Sequence, residues 1–84
     1  MKVTIKEVNT MEQVTRELKA LRIKKDLTQE NMAKLLNISV QTYIAYENNP
    51  GKMKWEMLVK LASIFEVDIE SFVAIFFKHY TYKM

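Results

Sequence analysis

Cysteine is missing from this 84-residue chain, and glycine, proline, histidine and tryptophan occur once each. Without cysteine there is no disulfide framework and no thiolate metal site. The absence fits a reducing cytoplasm, where we expect the chain to work. The single glycine, Gly51, leaves no glycine-rich loop to cradle a nucleotide phosphate. So few turn formers argue against a many-stranded all-β fold and in favour of helices. The lone histidine, His79, lies close to the end of the sequence, and the acids occur singly without the arrangement of a catalytic dyad. The expectation is therefore no enzyme: no catalytic residue, no metal, no cofactor and no small-molecule ligand. No apolar run approaches the roughly 18 residues of a membrane span. The first residues alternate charged and apolar side chains, unlike a signal peptide.

What the chain does have is 49% hydrophobic residues, enough for one domain with a modest core. The formal net charge is +3, and it is unevenly placed. Residues 1–54 hold ten Lys or Arg against six acids, whereas residues 55–84 hold three against four. A positive excess on one part of the chain suits attraction to phosphate. Alone, a charge of +3 fits a mildly basic surface with no partner equally well.

Taken in order, Val3 and Ile5 alternate with Lys2, Thr4 and Lys6, the pattern of a short strand or tail over residues 1–9. Thr10 and Gln13 have capping-box spacing. Val14, Leu18 and Leu21 then draw one buried stripe along a first helix over about residues 11–25. Thr28 suits an N-cap for a second helix that opens at Gln29, with Met32, Ala33, Leu35 and Leu36 as its apolar positions. Asn37 tolerates a left-handed backbone, and Ser39 can cap a third helix bearing Tyr43 and Tyr46. Asn48-Asn49-Pro50-Gly51 ends that helix. Two helices joined so tightly must cross steeply, and Ala33 offers the small side chain such a crossing needs. A fourth helix from about Lys54 to Phe65 carries Trp55, Leu58, Leu61, Ala62 and Phe65. Lys54 stands at its cap position and cannot accept a hydrogen bond. Asp68 can cap a fifth helix with Ile69, Phe72, Val73 and Phe76. From Phe77 to Met84 the pattern alternates again, which suggests a second terminal strand or a dimer contact.

The segment from Thr28 to Asn49 reads as a helix-turn-helix. It resembles the phage repressor and Cro type, the xenobiotic-response-element family. The resemblance rests on Leu27-Thr28-Gln29, Ala33, Leu36, Ile38-Ser39, Gln41-Thr42 and Tyr46-Glu47-Asn48. Leu18, Leu21 and Arg22 extend it upstream, and Leu58, Leu61, Ala62, Val67 and Phe72 extend it downstream, over about residues 11–73. It implies an all-α, compact five-helix, lambda-repressor-like domain over residues 10–76, with the helix-turn-helix as helices 2 and 3. Tails or short strands at 1–9 and 77–84 would flank it, leaving no room for the separate C-terminal domain of larger repressors.

The same resemblance implies a small Cro-like repressor of a phage or mobile element. It would bind double-stranded operator DNA as a homodimer, with a recognition helix in each of two successive major grooves. Val40, Gln41, Ile44 and Ala45 match the family's base-reading places. Gln29, at the N-terminus of helix 2, can hold a phosphate together with the helix's free N–H groups. Thr28 and Asn48 match other backbone-contact places in the family, Thr42 can touch phosphate or a base edge, and Lys52 and Lys54 follow the recognition helix with charge for phosphate. Arg22 and Glu47 match a family ion pair joining helix 1 to the recognition helix. The chain departs from the common pattern at Val40 and Ile44, where polar or basic residues often stand. Direct readout then falls on Gln41, which can bond both N6 and N7 of adenine, and implies A·T-containing steps plus shape readout. Two other uses of the fold remain open at this point. Val40, Ile44 and Ala45 could form an apolar contact in a protein-interaction module, or the chain could be an antitoxin binding both DNA and a toxin.

Overall fold

The computed structural model describes residues 10–80, and side chains within 11–76. Five α-helices follow one another: α1 Thr10–Lys24, α2 Gln29–Leu36, α3 Val40–Asn48, α4 Trp55–Phe65 and α5 Ile69–Tyr80, with one 3₁₀ turn at Pro50–Lys52. The arrangement is all-α, as the sequence implies. The strand-like segment at 1–8 lies outside the described residues. Of the other, residues 77–80 instead continue α5 as far as Tyr80, and residues 81–84 lie outside the described residues. Ile69, Phe72, Val73 and Phe76 set a helical period there, and a short alternation after it was too brief to overrule that period.

Local chemistry explains most of the boundaries. Thr28 caps α2, its hydroxyl accepting from the Asn31 N–H at 3.0 Å while its own N–H donates to Asn31 Oδ1 at 2.9 Å. Ser39 caps α3, accepting from the Thr42 N–H at 3.1 Å. Asp68 caps α5, accepting from the Ser71 N–H at 3.1 Å. Lys54 precedes α4 with no side-chain cap, the deficit its ammonium implies. Thr10 is itself helical, so it is not the cap expected of it.

The C-termini of α1, α2 and α4 share a device that needs no glycine. Asp26, Asn37 and Glu66 all adopt left-handed backbone, with φ of 59°, 60° and 59°. After each, the next N–H reaches back to close the helix: Leu27 to Arg22 O, Ile38 to Ala33 O and Val67 to Ala62 O, at 3.0–3.1 Å. Asn and Asp visit this region at modest cost, whereas Glu66 does so against its preference.

The core comprises Val14, Leu18, Met32, Ala33, Leu36, Tyr43, Leu61, Ala62, Phe65 and Phe72, all buried. Helix α1 packs on α5 and α3, α5 packs on α4, and α2 packs on α3. Ala33, the small side chain of α2, is buried in the core.

Two large apolar side chains expected inside lie outside. Leu35 is 58% exposed, because Met32, Ala33 and Leu36 define the buried face of α2 and Leu35 falls about a third of a turn away from its centre. Trp55 is 59% exposed. A helical side chain covers the turn N-terminal to its own Cα. Trp55 begins its helix, so it has no such turn to lie on, and it borders an open apolar groove with Ile69, Val73 and Ala74.

Candidate nucleic-acid interface

Glu47 is the pivot of the site. It is 1% exposed, yet it is charged and stands near the end of α3. Burial alone would raise its pKa, but three side chains donate to the carboxylate and together hold its pKa below the ordinary value. Arg22 from α1 gives Nε to Oε2 at 2.8 Å and Nη2 to Oε1 at 3.3 Å. Tyr43, one turn earlier on α3, donates its hydroxyl to Oε2 at 2.7 Å. Gln29, first residue of α2, donates Nε2 to Oε1 at 2.9 Å. Burial, then the hydrogen bond to Glu47, drives the Tyr43 phenol far above its usual range, so it remains a donor.

Two further bonds complete the clamp. Arg22 Nη1 donates to Leu27 O at 2.9 Å, tying it to the loop before α2. Thr15 Oγ1 donates to Glu47 O at 2.8 Å, fixing the middle of α1 against the end of α3. One buried carboxylate thus joins α1, α2 and α3. The expected Arg22–Glu47 pair is present, with the Arg22 side chain 12% exposed and that of Glu47 fully covered.

Helix α3 divides into two faces. Tyr43 and Glu47, four residues apart, are buried. Gln41, Ala45 and Asn48 recur at i, i+4 and i+7 on another face, and all three are exposed. Gln41 lies in the first turn of α3, where base-reading residues of a helix-turn-helix stand. Val40 is half-buried and packs against the core, which leaves only part of its side chain exposed. Ile44 is also half-buried.

Of the residues expected at the DNA backbone, Thr28, Thr42, Asn48, Lys52 and Lys54 are exposed. Thr42 Oγ1 accepts from the Ser39 hydroxyl at 2.8 Å, so its own proton is left for another acceptor. Gln29 is half-buried and its amide N–H is engaged by Glu47, leaving its carbonyl oxygen and the N-terminus of α2. Sequence reasoning missed the parts of Thr15, Gln29 and Tyr43 in the clamp. The i, i+4 spacing of Tyr43 and Glu47 was a readable signal. Nothing in the order of residues marked Thr15.

A helix-turn-helix family matches residues 18–72, more than half of the chain. The chain belongs to the helix-turn-helix family. Its members are DNA-binding regulators, and this chain carries the motif at α2 and α3. The cryptic phage CTXphi transcriptional repressor RstR of Vibrio cholerae is 35% identical over 57 residues, covering 68% of this chain and 51% of RstR. The chain therefore spans about half the length of that relative. No solved structure matches. Among the described residues, no helix is long and apolar enough to cross a membrane.

Proposed function

We propose that this chain is a sequence-specific transcriptional regulator of the Cro-like repressor kind, from a phage or mobile element and acting in the cytoplasm. Two copies place α3 in successive major grooves of a roughly two-fold symmetric operator, and their presence there blocks or redirects polymerase. Two half-sites let one sparse reading surface be selective. The observation that carries this reading is the exposed Gln41–Ala45–Asn48 face on a helix whose opposite face is locked by Glu47. The name of the V. cholerae relative, a transcriptional repressor, supports it.

The exposed residues of α3 favour nucleic acid over an apolar protein contact. Gln41, Thr42 and Asn48 are polar, and Ala45 is the one exposed apolar side chain among the four base-reading positions. Lys52 and Lys54 follow directly, exposed and without an ion pair among the described residues.

Gln41 is the test. A good bidentate contact discriminates against the wrong base by about 1–3 kcal/mol. Gln41→Ala is expected to weaken the preferred duplex roughly 5- to 150-fold and to relax preference at one adenine position, with non-specific binding unchanged. Gel-shift titration against the preferred duplex and its single-base variants measures this. An unaltered preference profile would remove Gln41 from base readout.

A further inference from the structure

Thr15 bonds the end of α3 to α1, and in doing so it sets two cations of α1 beside the recognition helix. Glu12, Thr15, Arg16, Lys19 and Asn48 line one shallow concavity of about 430 Å³. The four α1 residues recur at i, i+3, i+4 and i+7, so a single helix face builds one wall. Asn48, the last residue of α3, builds the other. Arg16 is exposed and Lys19 half-buried, and neither makes an ion pair among the described residues. The bond from Thr15 to Glu47 O, 2.8 Å long, holds the two walls in register.

We propose that this concavity is a phosphate-binding cradle for duplex DNA, with Arg16 and Lys19 as its cations and Asn48 as a neutral donor. The proposal rests on the DNA-binding reading above and extends the contact surface onto α1. A nine-residue helix is about 13.5 Å long, close to the roughly 12 Å width of the major groove. With Gln41 at base edges, Asn48 at the far end emerges at the groove's rim, where the sugar-phosphate strand runs. Arg16 and Lys19 stand just beyond it. Their fork and point charge match phosphate oxygens, and they carry no information about base identity. Glu12 on the same wall opposes the phosphate and sets a limit on the cradle's strength. It also supplies a test of opposite sign.

The experiment is the salt dependence of duplex binding, read as the slope of log K against log salt concentration. Each phosphate contact contributes about −0.9 to that slope. The paired change Arg16→Gln with Lys19→Gln is expected to make the slope shallower by about 1–2 per bound protomer, to weaken preferred and unrelated duplexes alike, and to leave base preference unchanged. Glu12→Gln is expected to strengthen binding at low salt. Lys25→Ala, which removes a cation already paired with Glu66 at 2.6 Å, is expected to leave the slope alone. Thermal melts of each variant establish that it is folded. An unchanged slope in the paired variant, while the unaltered chain still binds duplex, overturns the cradle and leaves the DNA-binding reading standing. A changed base preference also overturns it. If the unaltered chain binds no duplex at low salt, both fall together.

Discussion

Arg22→Ala is expected to destabilise the chain by roughly 3–5 kcal/mol, the cost of leaving a buried carboxylate without its cation. For a domain of this size each kcal/mol moves Tm by about 4–8 °C, so the melt should fall by more than about 10 °C. Lys19→Ala on the same helix removes a charge with no ion pair among the described residues, and should change Tm little. The contrast follows from where Glu47 sits. It is sealed from water, and Arg22 supplies two of the four hydrogen bonds to its carboxylate.

The sign of the pH dependence follows from the same geometry. The folded-state pKa of Glu47 is depressed, so its contribution is fully present above the unfolded value of about 4.5 and is lost as pH falls through the folded value. In Arg22→Ala the burial that raises the pKa loses its main opposing partner. Protonating Glu47 then relieves the defect, and the gap in stability between the two proteins should narrow as the solution is acidified. Chemical denaturation at several pH values measures this. Equal, small effects of the Arg22 and Lys19 changes would show that the clamp does not hold the fold together.

The second large effect is expected at Phe72, which is wholly buried at the contact of α5 with the rest of the core. Its ring lies 6.0 Å from those of Phe65 and Phe76, tilted in one case and edge-on in the other. Phe72→Ala removes a fully enclosed aromatic ring of α5 and leaves a cavity, at a cost of about 3–5 kcal/mol. Part of that comes from the ring pairs, at about 0.5–1.5 kcal/mol beyond buried area. In urea the midpoint should fall with the slope unchanged. Phe72 lies away from the exposed face of α3, so the folded fraction should keep its base preference. A loss well under 1.5 kcal/mol would mean that the core collapses to fill the space.

These two residues mark what a sequence can and cannot disclose. Phe72 belonged to a visible helical stripe, as did Val14 and Leu18, and all three are buried. The caps at Thr28, Ser39 and Asp68 and the turn at Asn37 were legible because each depends on a single residue's own chemistry. The Arg22–Glu47 pair was legible only through family resemblance, since 25 residues separate its members. Convergence of Thr15, Gln29 and Tyr43 on Glu47 was not legible, because it exists only once three helices have packed. The outward positions of Leu35 and Trp55 were hidden for a related reason. Each is as apolar as its buried neighbours, and only the direction of the helix face decides between them. Glu66 in left-handed backbone ran against residue preference. The capping bonds to Ala62 and Ser63 offset its strain, and its carboxylate meets Lys25 at 2.6 Å.

The Lys25–Glu66 bond lies at the surface, and its hydrogen bond and charge lower the Glu66 pKa. It adds little to stability, as exposed pairs do. The buried clamp and the aromatic core therefore carry the task of presenting α3. The exposed face of α3 belongs to neither, which leaves Gln41, Ala45 and Asn48 open to solvent.

Selection of bound sequences from a random duplex pool tests the central claim most directly. The account predicts enrichment of an inverted repeat whose half-sites lie about one helical turn, roughly 10–10.5 base pairs, or a multiple of it apart, each with an adenine position that depends on Gln41. A pool that emerges as random as it entered would contradict it.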